Sequence, residues 1–143
     1  MKTETDGRTQ PDEGEEQSHA GSRTLRVLVV DDEALIGHVT ASMLEDMGHE
    51  AQWVPTATEA LGLLKRDAGF DLLITDHGMP EMTGGALAEA VHAMHPALPI
   101  VLATGFADVP DSYADSLPRL AKPYGPDELA AILSVVQPPA GLR

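Results

Sequence analysis

Short apolar runs and amphipathic stretches alternate through the middle of the chain. "LRVLVV" (25–30) is a continuous, β-branched run that ends at Asp31-Asp32. Behind it, "ALIGHVTASMLEDM" (34–47) places Ile36, Val39, Met43, Leu44 and Met47 on one helical face, and Gly48 closes the helix. "EAQWV" (50–54) reads as a second strand. "TATEALGLLKR" (56–66) opens with Thr56 and Glu59 at capping-box spacing and buries Ala60, Leu61 and Leu64. "DLLIT" (71–75) is a third strand, which delivers Asp76 to a loop turning through Gly78, Met79 and Pro80. "TGGALAEAVHAM" (83–94) predicts a helix on Leu87, Val91 and Met94, ended by His95-Pro96. "PIVLAT" (99–104) and the short "PRLA" (118–121) are strands four and five. From Pro126 a last helix buries Leu129, Ile132, Leu133 and Val136. The segment 105–117 carries Pro110 and weak periodicity, so the fourth helix is expected to be short or irregular.

This is a (βα)5 pattern. The strands are unbroken apolar runs rather than alternating ones, which requires helices on both faces of the sheet. Right-handed crossovers then make an α/β doubly wound parallel sheet, whose ligands sit at the carboxyl ends of the strands.

Composition narrows the reading. The chain has 143 residues and a formal net charge of −14, which repels phosphate backbones and argues against nucleic acid as a partner. Cysteine is absent, which removes disulfides and thiolate metal sites. No apolar run has the roughly 18 residues of a membrane span, and the N-terminus lacks a signal peptide's apolar stretch, so no membrane partner and a cytoplasmic location are expected. Residues 1–23 hold only Met1 and Ala20 as apolar side chains besides glycine and proline, the composition of a disordered acidic tail or linker. Residues 137–143 read as a frayed end, leaving 24–136 as the folded domain.

Chemistry collects at the strand ends. Asp31 and Asp32 follow strand one, Asp76 follows strand three, Thr104 ends strand four, and Lys122 follows strand five. Three carboxylates in one pocket repel, at about 4 kcal/mol for a pair about 4 Å apart at an effective dielectric near 20. The pocket must hold a proton or a cation, and a hard divalent ion such as Mg²⁺ suits oxygen ligands. Lysine and a hydroxyl beside one carboxylate form an arrangement for a transferring phosphoryl group. Asp76 is then the nucleophile that forms an aspartyl phosphate, and the turn after it lets the Gly78 carbonyl reach the metal.

The chain resembles bacterial two-component receiver domains through "VLVVDDE" (27–33), "DLLITDHGMPEMTG" (71–84), "PIVLATG" (99–105) and "LAKPY" (120–124). The resemblance implies a flavodoxin-like fold with strand order 2-1-3-4-5. It implies that Asp76 accepts phosphate from a histidine kinase or a histidine phosphotransfer protein. Asp32 and Asp76 would bind Mg²⁺ directly, Asp31 through water and Gly78 through its carbonyl. Thr104 and Lys122 would grip the phosphoryl group, and the Lys122-Pro123 bond would be cis. "ATGF" (103–106) is similar to stand-alone receivers and to receivers at the C-terminus of hybrid kinases. Many receivers carry an aromatic switch three places before the site lysine; here that position is Arg119, so Phe106 or Tyr124 is expected to share the role. The kinase is expected to dock on the first helix, exposed at Gly37 and His38, and on the 122–126 loop. With no output segment after residue 136, the expected role is a signalling phosphoacceptor that switches protein binding, rather than an enzyme.

Other readings compete. A Mg²⁺-dependent phosphohydrolase also uses an aspartyl phosphate, but its second acid falls at Gly78. A flavin module needs Gly, Ser or Thr where Asp31-Asp32-Glu33 stands. A pseudo-receiver scaffold has no need of the intact site. His92 and His95, at helical spacing without a third ligand, read as solvated surface, and His77 as a rim residue. Met43, Met47 and Met94 read as core, and Trp53 as packing.

Overall fold

The computed structural model describes residues 24–105, 108 and 113–136. The expected tail (1–23), the expected frayed end (137–143) and Phe106 lie outside the described residues. The elements run β1 (Arg26–Val30), α1 (Ala34–Asp46), β2 (Glu50–Val54), α2 (Ala57–Arg66), β3 (Leu72–Asp76), α3 (Gly84–Met94), β4 (Ile100–Thr104), β5 (Arg119–Ala121) and α4 (Pro126–Val135). Among the described residues between β4 and β5, a 3-10 turn, Ala114–Ser116, falls in the segment where the short or irregular fourth helix was expected. The strands pair in parallel in the order β2-β1-β3-β4-β5, the expected 2-1-3-4-5.

Alternate residues of the central strands feed opposite cores. Leu28, Val30 and Leu73 join Ala60, Leu64, Leu87 and Val91 on the α2–α3 side. Val27, Val29, Leu72 and Ile74 join Leu44, Leu129 and Leu133 on the α1–α4 side. Both sets are apolar because both faces are covered, and each fully buried leucine contributes about 1.5–3 kcal/mol. Met43, Met47 and Met94 pack at the edges of these cores.

Some expectations need correction. Asp76 is the last residue of β3 rather than the first of the loop, because it still occupies a rung opposite Ala103. Glu59 completes only half of the capping box: Thr56 accepts from its backbone N–H at 3.1 Å, while the Thr56 hydroxyl donates to its carboxylate at 3.3 Å. His92 and His95 are half-buried rather than solvated. His92 Nε2 donates to the Leu98 carbonyl at 3.0 Å while Nδ1 meets the Tyr113 hydroxyl, and His95 Nε2 donates to the Leu64 carbonyl at 2.9 Å. These bonds tie the end of α3 to its neighbours.

The inward face of α1 is also turned. Gly37, Thr40 and Leu44 are its buried residues, while Val39 is 48% exposed. The cause is Trp53 on β2, whose indole lies over Gly37; a Cβ there would sit 2.2 Å from the indole Cδ1 and Nε1. Gly37, expected to be exposed, is therefore covered. Gly37→Ala is expected to lower the unfolding free energy by a net ~1–2 kcal/mol, because overpacking by up to ~3 kcal/mol outweighs a helix-propensity gain of ~1. Urea unfolding followed by Trp53, the chain's single tryptophan, reads it; an unchanged midpoint would contradict the packing argument.

Candidate functional site

Parallel register brings the carboxylates together. Val30 pairs with Thr75, so Asp31 and Asp76 emerge side by side from adjacent strands. Asp76 pairs with Ala103 and Thr104 with Ala121, which sets Lys122 just past the same edge. The Lys122 backbone N–H donates to the Thr104 carbonyl at 2.9 Å, and the Lys122–Pro123 bond is cis, as expected.

Each of Asp31, Asp32 and Asp76 offers an oxygen within 4.8 Å of the others. Lys122 Nζ donates to Asp76 Oδ1 at 2.9 Å and lies 3.6 Å from Asp31 Oδ2. Asp31 and Asp76 are buried, at 3% and 4% exposure, whereas Asp32 is open to solvent. Trp53 Nε1 donates to the Asp31 carbonyl at 2.9 Å, and Asp31 Oδ1 accepts from the Glu33 N–H at 2.9 Å. Trp53 thus does more than pack: it holds the backbone of a site residue.

Charge is unbalanced here. Burial raises the Asp31 carboxyl above the usual carboxylate range, against the opposing pull of the Glu33 N–H and of Lys122. Asp32 is raised too, by burial and then by Asp76. Burial works against the Lys122 ammonium, but its hydrogen bond and attraction to Asp76 outweigh that and hold it above its ordinary value. Three ionised carboxylates against one ammonium leave two negative charges. The donor set, all hard oxygen, and this twofold deficit fit a divalent cation, so the cluster could hold one.

The remaining predicted residues stand around this centre. Thr104 is half-buried at the end of β4, and Gly78 is exposed in the loop after β3. His77 is not a rim residue: it is 2% exposed, and its Nδ1 accepts from the Gly85 N–H at 3.2 Å. The loop folds back over it, with Met79 and Gly84 both donating to its carbonyl. Arg119 is exposed and pairs with Asp115 at 2.6 Å. Tyr124 is bound to α1, its hydroxyl sharing a 2.6 Å hydrogen bond with Thr40, and burial raises that hydroxyl's pKa.

Two features went unseen in the sequence. A groove of about 490 Å³ between α1 and the loop after β5 is lined by Leu35, Ile36, Val39, Met43, Pro123 and Tyr124, and adjoins Lys122 and Gly105. Asp108 also reaches the site's edge. Its Oδ2 accepts from the Gly105 N–H at 2.7 Å, and a Cβ on Gly78 would lie 2.5 Å from its Oδ1.

Comparison with known proteins follows the same lines. Residues 27–134 match the response regulator receiver domain family. The response regulator protein FleR of Pseudomonas aeruginosa is 34% identical over 113 residues, covering 78% of this chain and 24% of FleR. The sensor kinase CckA of Brucella abortus is 30% identical over 118 residues, which are 78% of this chain and 12% of CckA. The chain thus spans only a minor part of these two relatives. Among solved structures, the chemotaxis response regulator CheY4 of Vibrio cholerae superposes with a TM-score of 0.71 at 28% identity, covering 80% of this chain and 99% of that one. No described helix is long and apolar enough to cross a membrane.

Proposed function

Because this chain belongs to the response regulator receiver domain family, a domain class of phosphorelay signalling, we propose that Asp76 accepts a phosphoryl group from the phosphohistidine of a kinase or phosphotransfer protein. One observation carries the reading: a buried aspartate ends a strand with an ammonium 2.9 Å from its oxygen, inside a group of three carboxylates. An Asp76 carboxylate oxygen attacks phosphorus, the phosphorus–nitrogen bond breaks, and its electron pair returns to the donor imidazole. Lys122 is placed to meet the negative charge arriving on the phosphoryl oxygens, and the Thr104 hydroxyl supplies a donor from the next strand. Asp32 and Asp76 directly, Asp31 through water, and the Gly78 carbonyl would hold Mg²⁺. When bound, that ion supplies positive charge against the crowded oxygens.

Incubation with Mg²⁺ and acetyl phosphate tests the reading by intact mass. A single phosphoryl adduct that requires Mg²⁺ is the expected result. Absence of both an adduct and Mg²⁺ binding by titration would overturn it.

The donor's docking face belongs to the same proposal. Gly37 is covered by Trp53, but Leu35, His38 and Val39 near the start of α1 are exposed, and Leu35 and Val39 line the groove that leads to Lys122. An apolar helix face carrying the phosphohistidine fits this surface. Val39→Glu is expected to slow transfer from a cognate kinase by roughly tenfold, the cost of one charge placed in an apolar contact, and to leave acetyl phosphate labelling unchanged. Equal kinase transfer rates in both proteins would remove the face.

A further inference from the structure

We propose that the Asp108 carboxylate is a built-in competitor for the phosphoryl group, occupying its place on the Gly105 amide until phosphorylation displaces it. The inference rests on Asp76 being the phosphoacceptor. Gly105 is the first residue past Thr104, beyond the last rung of β4. Its N–H makes no bond to β5, where the final link runs from the Lys122 N–H to the Thr104 carbonyl. That N–H points instead to Asp108 Oδ2 at 2.7 Å, the length of a charge-assisted bond. The other oxygen of the same carboxylate lies against Gly78, where a Cβ would come within 2.5 Å of it. One carboxylate therefore spans the loops that leave β3 and β4, one residue past Thr104 and two past Asp76.

The neighbouring cluster already carries two surplus negative charges, and Asp108 does not belong to the group that could share a cation. What holds it is the amide. An aspartyl phosphate on Asp76 brings terminal oxygens with the same charge and the same demand for N–H donors to the same strand ends. One N–H cannot serve both anions at full strength, so a phosphoryl oxygen that takes the Gly105 amide displaces Asp108 from it. A reversed glycine-to-aspartate turn, with the Asp108 N–H donating to the Gly105 carbonyl at 3.2 Å, explains the bond's existence locally. It does not predict competition, and this separates the two accounts.

The test uses the full chain with saturating Mg²⁺ and acetyl phosphate as the probe. Asp76 attacks phosphorus, the bond to the acetyl oxygen breaks, and acetate leaves. The acetyl phosphate concentration for half-maximal adduct is measured by intact mass in the wild type, Asp108→Ala, Asp108→Asn and, as a control on the same segment, Asp115→Ala. Asp108→Ala is expected to lower it about tenfold, the weight of one competing charge-assisted hydrogen bond. Asp108→Asn falls between, and Asp115→Ala matches the wild type. The Gly105 amide resonance is expected to differ between wild type and Asp108→Ala before labelling and to converge after it. Half-saturation unchanged or raised in both Asp108 variants overturns the inference and leaves the phosphoacceptor intact. Weakened Mg²⁺ binding in Asp108→Ala also overturns it, by placing Asp108 with the cation. An absence of adduct in every protein overturns the phosphoacceptor reading itself, and this inference with it.

Discussion

Asp76→Asn is expected to abolish labelling by acetyl phosphate while the protein stays folded. The carboxamide oxygen is a far poorer nucleophile than a carboxylate oxygen, and no other described carboxylate has Lys122 within 3 Å. Asp76 is 4% exposed, so the replacement must also suit the interior. Asparagine has the same shape and keeps an acceptor for the Lys122 ammonium. Its amide hydrogens face Asp31 and Asp32, which lose a repelling neighbour in the exchange. The charge surplus falls from two to one, and Mg²⁺ affinity falls with it. Intact mass and thermal unfolding on the same samples read both halves. A retained adduct would move the chemistry to another side chain.

How far this arrangement was legible in the sequence depends on the range of each interaction. Asp31, Asp32, Asp76 and Lys122 could be placed together because each ends a short apolar run, and a parallel sheet aligns such ends. The same logic placed Thr104 one step past Asp76's partner on β4. The rotation of α1 was not legible. Its apolar residues span a broad arc, and which part faces inward was decided by Trp53, a residue on another element that needs a side-chain-free position at Gly37. His92 and His95 were misread for a related reason: their partners, Leu98, Tyr113 and Leu64, come from a turn and from neighbouring elements. His77 looked like loop rim because it follows a strand end, but the loop closes back over it through the Gly84 N–H. Asp108 sat in a segment without periodicity, so nothing in its spacing pointed at Gly105. Patterns along the chain located residues that repeat with the elements; contacts between elements had to be seen.

Removing the site's cation is the most damaging single change expected for stability. Lys122 is buried among the carboxylates, with its side chain 17% exposed. Lys122→Met keeps the length of the side chain and deletes the ammonium, leaving Asp31 and Asp76 buried without a counter-charge. Breaking such a pair costs about 3 kcal/mol, or roughly 10 °C in melting temperature for a domain of this size. The pH dependence follows from the signs. The Lys122 pKa is raised by folding, so its contribution is present throughout the range below the unfolded lysine value and is lost only as pH rises past the folded one. Asp31 and Asp32 are raised as well, so their ionisation penalises the fold increasingly as pH climbs through the window above the unfolded carboxylate value. The gap between wild type and Lys122→Met is therefore expected to be wide at neutral pH and to close on acidification, as the stranded carboxyls take up protons. Mg²⁺ should narrow it at neutral pH by replacing the lost charge. Adding Asp31→Asn to Lys122→Met should recover most of the loss without Mg²⁺, since asparagine keeps the acceptor for the Glu33 N–H and removes the buried charge. If the double variant melts no higher than Lys122→Met, the lysine's aliphatic packing, and not its charge, holds this end of the sheet together.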